Sequence, residues 1–271
     1  MTFIRPILQS TPTRSVHNTF AEKNSIRFVP EEVPVAISYG GSSHAVLMAT
    51  PDDLVDFGIG FSLTEGIIDD IAQIRSVDIV EGDLGIDLQI SLVDDVNDLL
   101  RARRRSMAGP VDCGLCGIES IDQAMRTLPD LSAVGPRISH RSVVAATARL
   151  FGAQQLHRET RAVHAAGLYL PGSGLVASRE DVGRHNALDK LCGFAFRSAL
   201  ECDEGAVVVT SRISVEMVQK TAMLGCAILI AVSAPTALAI RTAEACGVTL
   251  IALARGQDFE IFSHPHRVVP H

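Results

Sequence analysis

Three short runs in the last third of the chain are apolar at almost every position: Ala206-Val-Val-Val-Thr210, Ala227-Ile-Leu-Ile-Ala-Val-Ser233 and Val248-Thr-Leu-Ile-Ala-Leu253. A strand with one wet face alternates apolar and polar residues. A strand without alternation is buried on both faces, which is the habit of parallel sheets covered by helices. Segments of helical length, 214–224 and 236–246, separate the runs. This strand–helix–strand rhythm predicts an α/β fold with a largely parallel central sheet.

The first part of the chain has a different texture. Residues 1–30 are polar and mixed, and read as a loosely held N-terminal arm. Two strand patterns, 33–39 and 44–49, flank Gly40-Gly41, a hairpin signal. Thr50-Pro-Asp-Asp53 reads as a helix start, with Thr50 as the N-cap, Pro51 in the first turn and acids near the positive end. That helix is expected to run to about residue 65. Strand patterns follow at 74–81 and 86–93, then a short helix over 94–105 with acids first and arginines last. Residues 31–105 are thus expected to form a small α+β domain. Residues 106–117 read as a mobile loop, and 118–271 as the larger α/β domain, entered through a helical stretch over 139–155.

Composition narrows the function. The 271 residues are 47% hydrophobic, enough for one large core or two smaller ones. No apolar run reaches the ~18 residues of a membrane span, and the first ten residues lack the apolar stretch of a signal peptide. A cytoplasmic protein with reduced thiols and no membrane partner is expected. The net charge of −7 argues against nonspecific binding to nucleic acid, and the absence of Trp leaves little for base-stacking platforms.

Ligands of open parallel sheets bind beyond the carboxyl ends of the strands. Three such ends are legible: Thr210-Ser211-Arg212, Ser233-Ala-Pro-Thr236 and Ala254-Arg255-Gly256-Gln257-Asp258. They offer hydroxyls, guanidinium groups and helix N-termini, the ingredients of a phosphate or nucleotide cradle. Taken singly, each loop is as well explained by helix caps and solvated arginines. The run Arg179-Glu-Asp-Val-Gly183-Arg184-His185-Asn186-Ala-Leu-Asp189-Lys190 carries seven ionisable side chains in twelve residues. It ends one predicted strand and enters a helix with an apolar face of Ala187, Leu188 and Leu191. Asp181 or Asn186 is a candidate cap, Gly183 allows close backbone approach, and Arg184 and His185 are candidate phosphate or base contacts. His164, His44 and His140 read as hydrogen-bonded residues near strands.

Of six cysteines, Cys192, Cys202, Cys226 and Cys246 stand singly in apolar surroundings, where a free thiol acts as a small hydrophobe. Cys113-Gly-Leu-Cys116 differs: it lies in a glycine-rich polar stretch. Structural zinc needs two more ligands at suitable spacing, which the sequence lacks. A thioredoxin-like pair opens a helix after a strand, which this one does not. A structural disulfide is foreign to the cytoplasm. Carriage of a sulfane sulfur as a persulfide suits an accessible loop cysteine, and Arg103, Arg104 and Arg105 upstream would favour its thiolate. The second cysteine could resolve the persulfide by exchange. Spacing alone leaves redox chemistry and sulfur transfer both open.

Several stretches resemble one family, the formate dehydrogenase accessory sulfurtransferases (FdhD). They are Glu32-Val-Pro-Val-Ala-Ile, Thr50-Pro-Asp-Asp, Gly60-Phe-Ser-Leu-Thr-Glu65-Gly66-Ile-Ile, Cys113-Gly-Leu-Cys116-Gly117, His164-Ala165-Ala166, the run 179–190, Ser211-Arg-Ile-Ser-Val-Glu-Met-Val-Gln-Lys220 and Val232-Ser-Ala-Pro-Thr236. They occur in family order and span roughly residues 30–267, and the eleven-residue stretch from Glu180 to Lys190 is the most specific of them. The resemblance implies a sulfurtransferase that takes sulfur from a cysteine desulfurase onto Cys113. It delivers that sulfur to the molybdenum of bis(molybdopterin guanine dinucleotide) for formate dehydrogenase. Cys116 has a supporting role. The resemblance also implies a cytidine-deaminase-like three-layer fold for the larger domain, a homodimer, and a cofactor-binding segment at Leu253-Ala254-Arg255-Gly256-Gln257-Asp258.

With the family in view, Gly183, Arg184, His185, Asn186, Ser211, Arg212, Ser233, Thr236 and His164 complete the expected cofactor-binding set, with GDP as a mimic of the ligand. The readings beside it are a cofactor chaperone that moves no sulfur, and a dithiol oxidoreductase. A zinc deaminase needs His-x-Glu and a following Pro-Cys-x-x-Cys. Here His164 is followed by Ala165-Ala166, and the cysteine pair precedes it. One departure stands out: Thr160-Arg161-Ala162-Val163 occupies the place of the family's Thr-Gly-Gly, putting a long cation where small residues are usual.

Overall fold

The computed structural model describes residues 6–16, 22–96 and 126–270. The sequence-predicted helix 94–105 beyond Val96, the arginines at 103–105, and the cysteines Cys113 and Cys116 lie outside the described residues.

The larger core is built on a six-stranded sheet in the order β13-β12-β11-β10-β8-β9. β10 (Ala206–Val209), β11 (Ile228–Ala231) and β12 (Thr249–Arg255) are the three apolar runs, and they pair parallel. Every residue of β10 and β11 is buried. On one face pack α4 (Arg184–Arg197), α5 (Val215–Met223) and α6 (Ala237–Cys246), against Val207, Val209, Leu229 and Leu250. On the other lies α2 (His140–Ala153), whose Val143, Ala146 and Leu150 meet Val208, Ile230 and Ile251. The molecule is therefore α/β with a sheet covered on both sides.

The expectation of a largely parallel sheet holds only at its centre. β8 (His164–Leu170) runs antiparallel to β10 and joins β9 (Gly174–Asp181) in a hairpin; β13 (Asp258–Ile261) returns antiparallel to β12. Both reversals are short, and short connections can join only antiparallel strands. The β8–β9 turn uses Gly172 and Gly174 at φ 93° and 84°, a region glycine enters without a Cβ clash.

A second core forms around a four-stranded sheet, β4-β3-β6-β5. β3 (Val33–Tyr39) and β4 (Ser42–Ala49) form the hairpin expected at Gly40-Gly41. β5 (Ile74–Glu81) and β6 (Ile86–Leu92) match the other two predicted strands. β3 buries Val33, Val35 and Ile37, and β6 buries Ile86, Leu88 and Ile90, against α1 (Leu54–Thr64). Almost all of α1 is buried, because its other side packs on α4. The helices touch through glycine: a Cβ on Gly60 would sit 1.8 Å from the Asp189 carbonyl oxygen, and one on Gly193 would sit 1.8 Å from that of Asp56.

Two local expectations change. Thr50 does not cap α1, which starts after Asp53 in the left-handed region at φ 51°. Thr50 instead reaches across to the end of β9 and the turn before α4: its backbone N–H donates to Asp181 and its hydroxyl accepts from Val182 N–H. The N-terminal arm is ordered into β1 (Leu8–Val16) and β2 (Glu22–Pro30), an antiparallel pair. Arg27 of β2 donates to the Thr160 carbonyl oxygen at 3.4 Å. A two-residue parallel bridge, β7 (Ile138–Ser139) with β14 (Val268–Val269), brings the last strand to the start of α2. Among the described residues no helix is long and apolar enough to cross a membrane.

Candidate functional site

Sheet polarity gathers the predicted site residues. β10, β11 and β12 share one direction, so their carboxyl ends share one edge. β8 runs the other way, so its first residue, His164, lies at that edge too, paired with Asp181 at the end of β9. Ala165 N–H donates to the Thr210 hydroxyl, and Thr210 N–H donates to the Ala165 carbonyl, stitching β8 to the β10 exit. α4 begins directly after β9. Ser211-Arg212, Ser233–Thr236, Leu253–Asp258, His164 and Gly183–Asn186 thus converge although they are scattered over the sequence.

Their availability differs. Arg212 and Arg255 are exposed. Arg255 is steadied by a 3.0 Å hydrogen bond from Nε to the Val232 carbonyl, which leaves its terminal nitrogens outward. Leu253 has φ 54° and Gly256 φ 61°, and the β12 ladder is irregular between Ala252 and Arg255. Gly256 and Gln257 form the turn into β13, where Asp258 pairs with Arg255. Ser211 is buried and donates to the Arg212 carbonyl. Thr236 caps α6 by accepting from Ala239 N–H, while Leu253 N–H donates to the Ser233 carbonyl.

The dense polar run 179–190 proves to be mostly internal. Asp181 accepts from Gly183 N–H at 2.7 Å and from Asn186 Nδ2 at 2.9 Å; Asn186 Nδ2 also donates to the Met48 carbonyl. Lys190 pairs with Asp181, and Arg179 with Asp53 and Asp56. Asp189 binds Lys220, which also reaches Glu65. Gly183 and Asn186 therefore serve the connection between α1 and α4, while Val182, Arg184 and His185 of this turn are half-buried. His185 Nε2 lies 2.8 Å from Glu216 Oε2 and 3.4 Å from the Ser214 hydroxyl, tying α4 to the start of α5. The hydrogen bond from His185 holds the Glu216 carboxyl down at about 2.

Beside this edge is a cavity of about 430 Å³ lined by Phe151, Gln154, His157, Arg161, Ala162, Val163, His164, Thr210 and Val232. Its size falls in the range of small-ligand sites. Burial, aided by the charge of Arg184, lowers the pKa of His164, so the imidazole is neutral at pH 7. His157 Nδ1 lies 3.1 Å from the Val163 carbonyl. Arg161 ends α3 (Gln155–Thr160) in the left-handed region at φ 55°, a place usually filled by glycine. Sequence reasoning marked His164, Thr210 and Arg161, but not Gln154 or His157. Nothing in Ala153-Gln154-Gln155-Leu156 distinguishes the glutamine that turns inward from its exposed neighbour.

The four cysteines within the described residues are buried. Burial pushes the Cys202 thiol up to about 12 and that of Cys226 to about 11, and raises Cys192 and Cys246 as well. None of these four supplies a thiolate near neutral pH.

The sequence profile of the FdhD/NarQ family matches residues 30–269. The chain is 61% identical over 243 residues to the sulfur carrier protein FdhD of Agrobacterium fabrum, covering 90% of each chain. It is 54% identical to that of Brucella abortus, covering 93% and 94%. A crystal structure from Desulfotalea psychrophila, provisionally described as a formate dehydrogenase accessory protein, superposes with a TM-score of 0.77 at 23% identity, covering 97% of this chain and all of the other. That last likeness speaks to the fold. Matched along nearly its whole length, the chain belongs to the FdhD/NarQ family.

Proposed function

We propose that this protein is a sulfurtransferase that carries sulfur on Cys113 to the molybdenum of bis(molybdopterin guanine dinucleotide), for use by formate dehydrogenase. The observation that carries the reading is the single sheet edge that gathers the exposed Arg212 and Arg255 and the first residue of β8, His164, which lines the cavity. A dinucleotide cofactor is polyanionic, and arginines pair with phosphate through charge-assisted hydrogen bonds. The relatives' name, sulfur carrier protein, supports the sulfur chemistry.

The Cys113 thiolate attacks the terminal sulfur of a cysteine desulfurase persulfide. A new S–S bond forms on Cys113, the old one breaks, and the desulfurase thiolate leaves. For release as sulfide, the Cys116 thiolate attacks Cys113 Sγ. Sulfide departs toward the metal, a Cys113–Cys116 disulfide remains, and a thiol reductant returns the pair to thiols. On this reading the protein works in the cytoplasm as a homodimer, with the larger α/β unit layered like a cytidine deaminase.

The test is transfer of radioactive sulfur from cysteine through a desulfurase. A label released by reductant, present on wild type and Cys116→Ala but lost in Cys113→Ala, supports the carrier. An unlabelled wild type, together with full activation of formate dehydrogenase by Cys113→Ala, would instead establish a cofactor chaperone.

A further inference from the structure

Gln154 is 2% exposed, and both polar atoms of its side chain are buried without any hydrogen-bond partner. Buried amides are nearly always paired, and an unpaired one destabilises the fold by the desolvation cost of each group. Gln154 sits at the junction of α2 and α3, where its backbone carbonyl starts the next helix by accepting from Arg158 N–H. Its backbone has a structural role, and its amide has none. The amide borders the cavity, whose other walls are mainly apolar (Phe151, Ala162, Val163, Val232). The terminal torsion of glutamine has a broad well, so a small rotation turns the amide into that space.

The cavity wall also carries Arg161. Its guanidinium makes no hydrogen bond or ion pair among the described residues, and its backbone is held at positive φ. A strained backbone at a cavity wall is characteristic of binding sites. A ligand that suits both groups has a heterocycle with adjacent donor and acceptor and an attached phosphate.

We propose that Gln154 is the specificity residue of this cavity, pairing its amide with the lactam edge, ring N–H beside ring C=O, of a phosphorylated heterocycle anchored by Arg161. The inference rests on the function proposed above. The lactam edge is common to the guanine and pterin ends of that substrate, and binding measurements separate them.

The probes are GDP, the 5′-diphosphate of 2-aminopurine riboside (which lacks the lactam) and a 6-hydroxymethylpterin phosphate. Wild type is expected to bind GDP or the pterin phosphate about tenfold or more tightly than Gln154→Leu does. If GDP is the sensitive probe, wild type also prefers it to the 2-aminopurine analogue, and Gln154→Leu erases that preference. Arg161→Gly weakens the phosphorylated probes by a common factor and preserves the preference. Because the amide is unpartnered, Gln154→Leu keeps or raises the unfolding midpoint, so a lost preference does not reflect misfolding. A change for GDP assigns the guanine end to the cavity; a change for the pterin alone assigns the pterin end. If both probes bind Gln154→Leu as they bind wild type, the inference falls while the sulfur-transfer reading stands. If neither binds wild type, both fall.

Discussion

Lys190 holds its ammonium 2.7 Å from the carboxylate of Asp181, and neither side chain has any exposure to solvent. Asp181 closes β9 and Lys190 lies two turns into α4. The pair also takes in Thr50, whose N–H donates to Asp181 and whose carbonyl accepts from Lys190 at 2.9 Å. One buried cluster therefore fixes the start of α4, which carries Arg184 and His185, against the segment leading into α1. Removing one partner of such a pair leaves a bare buried charge. Lys190→Met is expected to cost about 3–5 kcal/mol, and neutralising Asp181 as well to recover part of that. Urea unfolding of both single variants and the double checks it; single losses that simply add in the double would mean the pair is not coupled.

The contact between α1 and α4 depends on glycine. An alanine at position 193 would drive its methyl into the Asp56 carbonyl, which is backbone and cannot step aside. Gly193→Ala should destabilise by about 3 kcal/mol or more, at the top of the overpacking range. Gly152→Ala is the control, since nothing lies within 4 Å of its added carbon. Thermal melts of the two variants should separate clearly.

The His185–Glu216 pair gives a pH signature. Glu216 has its carboxyl lowered to about 2, chiefly by the hydrogen bond from His185. A carboxylate whose pKa is depressed on folding stabilises above its unfolded value and loses that contribution as pH falls toward the folded one. Wild type is expected to lose stability between about pH 4.5 and about pH 2 more steeply than Glu216→Gln. Both groups are partly exposed, so the difference is small and shrinks with salt. Denaturant midpoints across that window measure it, and parallel curves would remove the pair from the account.

For the arginines at the sheet edge, affinity against salt is the decisive observable. Arg212→Ala and Arg255→Ala should each weaken GDP binding by about tenfold, the scale of one charge-assisted hydrogen bond, and flatten its salt dependence. Unchanged affinity in both variants would place the phosphates elsewhere.

Much of this architecture is legible in the residues, and the exceptions have physical causes. β10, β11 and β12 announce themselves because strands buried on both faces cannot hide their apolarity. Gly40-Gly41 marks its hairpin because both residues take positive φ. β13 is missed because it is partly exposed, so Asp258 reads as part of the loop beyond the strand end. Lys190 and Lys220 look like surface charges; their partners Asp181, Asp189 and Glu65 are brought to them only by the packing of α1, α4 and α5. Thr50 shows the same limit: as a residue type it is a good cap, and a contact with Asp181, more than a hundred residues away, decides its role. Of the site, the strand ends and His164 could be named one by one, but their common edge follows from strand directions that single segments do not reveal. Gln154 carries no local signal at all.

The central claim is that sulfur reaching formate dehydrogenase has resided on Cys113. It is tested by a single-turnover chase. The protein is loaded with radioactive sulfur, freed of desulfurase and cysteine, and mixed with molybdenum cofactor and the inactive dehydrogenase. The account predicts that label leaves Cys113 and appears in the dehydrogenase in step with its activity, and that Cys113→Ala transfers none. A dehydrogenase that becomes active while the label stays on the chain would contradict it.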